Sequence, residues 1–106
     1  MATASTPIST DAGSNTVRLS FRFIARKPGG EPLTGEECTV TLDGDGSLAP
    51  RHDAKRVLRT TNSEGAGEAI WYRRGIYGRD IRATLTVEAP GDASVTIEAV
   101  TPAAAG

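Results

Sequence analysis

The chain has 106 residues, the size of one compact domain, and its 12 basic and 13 acidic residues leave a net charge of −1. That balance excludes the broad positive field of a typical nucleic-acid binder and the signature of an acidic tail. The single cysteine, Cys38, excludes an intramolecular disulfide, and no window is apolar over a membrane-spanning length, so membrane insertion is not expected.

In chain order, residues 1–15 are mostly Ala, Thr, Ser, Gly, Pro and Asn with one large apolar residue, Ile8. Such a composition predicts a flexible arm, and without a basic start or an apolar run it is not a signal peptide. Residues 16–25 alternate, with Val17, Leu19, Phe21 and Phe23 on one face and Arg18, Ser20 and Arg22 on the other, which is the period of a half-buried strand. Residues 37–42 repeat the pattern through Cys38, Val40 and Leu42 and stop at Asp43-Gly44-Asp45-Gly46, a turn by composition. A short strand over 47–49 follows, then strands over 56–61 and 68–73, the latter sending Ala69 and Trp71 inward. Residues 80–88 alternate through Ile81, Ala83, Leu85 and Val87, and 94–100 through Val95, Ile97 and Ala99. Pro90-Gly91-Asp92 between those two predicts a hairpin. Residues 101–106 read as a flexible tail.

No stretch carries apolar residues at helical spacing without a Gly or Pro breaking it. Seven or so short strands joined by Gly and Pro turns predict an all-β, immunoglobulin-like antiparallel β-sandwich over 16–100. Phe21, Val40, Trp71 and Leu85 should supply its interior.

Two segments carry a family resemblance. Gly30-Glu31-Pro32-Leu33-Thr34-Gly35, leading into Cys38-Thr39-Val40-Thr41-Leu42, resembles the Gly-x-Pro segment and following strand of bacterial Ig-like domains of the invasin and intimin type. Thr60-Thr61-Asn62-Ser63-Glu64-Gly65-Ala66-Gly67-Glu68-Ala69 resembles the turn and strand of the same family, and a related prealbumin-like module is the neighbouring alternative. The resemblance covers residues 16–73. It implies a structural, adhesive or particle-decorating module at a cell surface or in a phage virion, with no catalytic residues.

The residues with reactive side chains point the same way. One imidazole, His52, stands far in sequence from Cys38, so a nucleophile–base pair is not expected, and one Cys with one His cannot fill a zinc shell. Asp43-x-Asp45-Gly46 echoes the start of a calcium loop, but Ala54 stands where the loop's closing Glu belongs. Lys27 and Lys55 read as solvated charges rather than partners in an isopeptide bond. No metal, cofactor or catalytic residue is therefore assigned.

The segment 71–79 concentrates three of the five aromatics and three arginines. Trp71 reads first as core and second as a stacking platform, while Tyr72, Arg74, Ile76, Tyr77 and Arg79 form a candidate partner-binding loop. Arg18, Arg22, Arg56 and Arg59 would form a basic stripe if their strands share a sheet. The expected function is protein–protein assembly or adhesion. A glycan-binding module using Trp71, Tyr72 and Tyr77, and an intracellular accessory subunit binding an acidic partner or nucleic acid through its arginines, are the alternatives.

Overall fold

The computed structural model describes residues 2–13, 15–98 and 100–102. They form eight strands: β1 (Ala2–Thr10), β2 (Arg18–Arg26), β3 (Glu37–Gly44), β4 (Arg56–Thr60), β5 (Ala66–Tyr72), β6 (Ile81–Ala89), β7 (Ser94–Ile97) and the two-residue β8 (Thr101–Pro102). There is no helix among the described residues. One sheet runs β1-β6-β3-β4 and the other β5-β2-β7, with β8 also on β2. All pairings are antiparallel. The protein is an all-β antiparallel sandwich of two sheets.

Alternation builds both layers. On β2 every second residue, Leu19, Phe21, Phe23 and Ala25, is buried, and on β6 Ile81, Ala83, Leu85, Val87 and Ala89 are. Phe21, Val40, Trp71 and Leu85 are each at most 3% exposed and meet in one apolar interior between the sheets. Val17, expected to face inward, is 55% exposed because β2 begins one residue later.

The connections depart from expectation in an instructive way. Only β3 and β4 are sequence neighbours paired in one sheet; every other link among β1 to β7 crosses from one layer to the other. The turn at Pro90-Gly91-Asp92 therefore does not close a hairpin: it carries the chain from β6 in the first sheet to β7 beside β2 in the second. A tight Pro-Gly turn reverses the chain equally well within a sheet or across an edge, so local composition does not distinguish the two. The predicted turn at 43–46 starts later than expected, since β3 continues through Gly44, which pairs with Ala83. The predicted 47–49 strand is a single bridge, Ser47 with Tyr72.

The segment expected as a flexible arm is instead β1. Nine of its residues, from Ala2 opposite Ala89 to Thr10 opposite Ile81, pair with β6, and Ile8 is 2% exposed in the core. An edge strand needs one anchor and a free ladder rather than an apolar run, and threonine favours extended backbone. Composition alone therefore underrates it. At the other end Thr101 and Pro102 pair with β2, while residues 103–106 of the expected tail and Ala99 lie outside the described residues.

Two side chains, Thr61 and Asn62, knit together the segments that carry the resemblance. Thr61, 3% exposed, donates its hydroxyl to the Leu33 carbonyl and accepts the Glu36 N–H, which ties residues 33–36 to the β4–β5 turn. Asn62 Oδ1 accepts the N–H groups of Glu64 and Ala66, closing that turn. The second glycine of Gly65-Ala66-Gly67 serves packing, because a Cβ on Gly67 would stand 2.3 Å from the Phe23 ring.

Candidate functional site

Three connections gather at one end of the sandwich: residues 11–17, 45–55 and 73–80. The last holds most of the candidate residues, and Asp45 holds it in place. Its carbonyl accepts the Trp71 indole N–H at 2.7 Å, and its carboxylate takes both terminal nitrogens of Arg79, at 2.7 and 2.9 Å. The Arg82 N–H adds a third donor at 3.2 Å. The Arg79 hydrogen bonds, and after them the Arg82 N–H, hold the Asp45 carboxyl below the usual carboxylate range. The Asp45 side chain that suggested a calcium ligand is thus committed to a guanidinium. Among the described residues no group of three His, Cys, Asp or Glu side chains converges on one point.

The remaining walls are equally specific. Gly46 adopts φ +94° and lies flat on the indole, where an added Cβ would come within 1.9 Å of Trp71 Nε1. Ser47, fully buried, donates to the His52 carbonyl and accepts the N–H groups of Ala49 and Ala54, which shapes the 47–54 loop from inside. Lys55 Nζ donates to the carbonyls of Gly44 and Gly46 and lies 3.8 Å from Asp53. Sequence reasoning leaves Lys55 as a solvated charge; nothing in its local pattern reveals that it caps this turn.

The candidate residues part company here. Arg74, Ile76 and Arg79 line one shallow cleft of about 280 Å³ together with Asp45, Asp53 and Lys55. Ile76 is half-buried and packs against the core, so it is an anchor for the loop rather than an exposed contact. Tyr77 next to it is 74% exposed. Tyr72 faces the other way: it is half-buried on the outer side of β5 and lines a separate depression with Leu48, Pro50 and Arg59. Trp71 is wholly buried, the first of its two expected roles.

Within the cleft the charges are mostly matched. Asp45 holds Arg79, Asp53 lies near Lys55, and the Arg74 guanidinium has one long contact, 3.5 Å, to the Pro50 carbonyl. Exposed Val17 lies at the same end, its carbonyl accepting the Arg73 N–H. The result is a firm platform carrying a phenol, a guanidinium and some apolar surface.

The basic stripe does not form. Arg18 and Arg22 stand on β2 in one sheet and Arg56 and Arg59 on β4 in the other, because β4 pairs with β3. Arg22 pairs with Glu64 at 2.9 Å, and Arg59 donates to the Glu68 carbonyl across the gap between sheets. Cys38 is 1% exposed; burial, and then the nearby Glu36, push its thiol up, the opposite of an activated nucleophile. His52 is exposed. In comparisons with known protein families, with curated proteins and with solved structures, nothing matches this chain.

Proposed function

We propose that this chain is a non-catalytic immunoglobulin-like module that docks a protein partner through the end of the sandwich bearing Tyr77 and Arg74. The observation that carries the reading is an exposed tyrosine on a loop fixed at three points. Arg73 is tied to Val17, Ile76 is seated against the core, and Arg79 is locked to Asp45. A loop already held in place loses little entropy on binding, and tyrosine offers a large amphipathic contact with few rotatable bonds. Arg74 on the same loop favours a partner surface that carries carboxylates. The resemblance to bacterial Ig-like domains supports an assembly or adhesion role at a cell surface or in a phage particle.

The alternatives lose their main supports. A glycan site would have to work without Trp71, and a nucleic-acid face without the four-arginine stripe. The reading is tested by placing a photo-crosslinking phenylalanine at position 77 and, as control, at position 64, in the source organism. A discrete protein adduct is expected from position 77 alone, falling at least about tenfold when Arg74→Ala removes the neighbouring charge. No adduct, or one that is equal at both positions or indifferent to Arg74, sinks the proposal.

A further inference from the structure

The chain joins β1 to β2 in one sheet, yet the backbone ladder of β1 is with β6 in the other. Residues 11–17 make the crossing, and Asp11, Ala12, Gly13, Asn15 and Val17 are all exposed. Hydrogen bonds hold both ends of the crossing, among them Ala12 N–H to Asp80 and Arg73 N–H to the Val17 carbonyl, each at 2.9 Å. Within β1 itself Ile8 is the one described side chain that is buried, and Pro7 has no N–H to give the ladder.

Beneath the end of β1 lies a costly group. Arg73 is 8% exposed, donates to Thr10 Oγ1 at 3.0 Å, and leaves its Nε with no hydrogen-bond partner. Among the described residues no carboxylate pairs with it. A buried guanidinium matched by one hydroxyl lowers the cost of lifting β1, which returns it to water until either copy's strand closes over it again. The edge then laid bare is β6: nine regular residues without proline, with Ile81, Leu85 and Val87 on the inner face, a ready template for another strand.

From this arrangement we infer that β1 exchanges between copies of the chain. Residues 2–10 of one molecule pair with residues 81–89 of a second copy and the reverse, with 11–17 as the hinge, which closes a two-fold dimer. Both states make the same ladder and fill the same Ile8 seat, so they differ in hinge conformation and in association entropy alone. A strand tethered by a short linker competes as if present at about millimolar concentration, so exchange becomes comparable with self-pairing at that chain concentration. The inference uses a different surface from Tyr77, shares with it only the tie between Arg73 and Val17, and has a separate readout in the position of the disulfide.

The test uses the full chain with S5C and T86C, facing positions of β1 and β6 whose hydroxyls lie 3.0 Å apart. Reduced, unfolded protein is refolded at micromolar and at millimolar concentration, oxidised, and its disulfides mapped by mass spectrometry. We expect a 5–86 link within one chain at low concentration and between two chains at high concentration, the ratio rising about tenfold per tenfold in concentration. Adding Ile8→Asp, which removes the seat, should suppress the interchain 5–86 link. Intrachain links alone at every concentration, or interchain links indifferent to Ile8→Asp, overturn the inference. The pair T3C and E88C, also facing across β1 and β6, is the second reporter should the first variant not fold.

Discussion

At Gly46 and Ser47 two tightly constrained positions stand side by side, and neither carries a charge or an aromatic ring. Gly46→Ala would drive a methyl into the Trp71 indole at a backbone angle that disfavours side chains, and should cost about 3 kcal/mol or more. Ser47→Ala leaves the buried N–H of Ala49 and the partly buried N–H of Ala54 without their acceptor, and should cost about 1–3 kcal/mol. Urea titrations followed by Trp71 fluorescence measure both; Gly46→Ala should also redden the native emission. Asp45 sets an acid limit. Its carboxyl lies lower in the folded chain than in the unfolded one, so its contribution is complete above the ordinary carboxylate value of about 3.9 and fades as pH falls through the lowered folded value. Asp45→Asn should therefore be less stable than the natural chain at neutral pH, with the gap closing in strong acid. A gap that stays constant with pH would show that the Arg79 pairing does not carry it.

Among the elements, those whose burial follows local period are legible from the residues alone. The alternation at Leu19, Phe21 and Phe23 and at Ile81, Ala83, Leu85 and Val87 locates β2 and β6 within a residue or two, because a two-residue period leaves no other face to bury. What escapes such reading is set by partners distant in sequence. β1 carries one large apolar side chain and becomes a strand because β6 offers it an edge; the chain from β6 to β7 changes sheet because β2 has an edge free. The candidate loop is legible as a cluster but not as a surface: nothing local tells that Ile76 turns inward while Tyr77 turns out. Ile8→Ala should measure how much β1 contributes, costing about 2–4 kcal/mol by chemical denaturation. A negligible cost would mean that the ladder alone holds the strand.

The whole molecule is a closed interior with one decorated end. Cys38 reports on the interior: at 1% exposure, with its thiol pushed up by burial, it should resist thiol reagents in the native state and react only as the sandwich opens. Modification at the rate of a free thiol would contradict the packing of β3 against its neighbours. Tyr77 reports on the end: Tyr77→Ala should leave stability within about 0.5 kcal/mol, since its ring is mostly in solvent, while removing partner binding. Loss of both together would assign the tyrosine to folding instead. The layer-crossing links mean that most strands wait for partners far along the chain, which predicts folding in milliseconds to seconds rather than microseconds.

That delay is longest for the first strand. Ser5 and Thr86, which face each other in the finished sheet, are 81 residues apart, so a ribosome adding about 5–20 residues per second leaves residues 2–10 solitary for several seconds. During that interval an oily segment would invite clumping of nascent chains on neighbouring ribosomes. Alanine, serine and threonine around a lone isoleucine make a strand that can idle harmlessly in water, and the blandness that hides it from a reader of the sequence is what suits it to the wait.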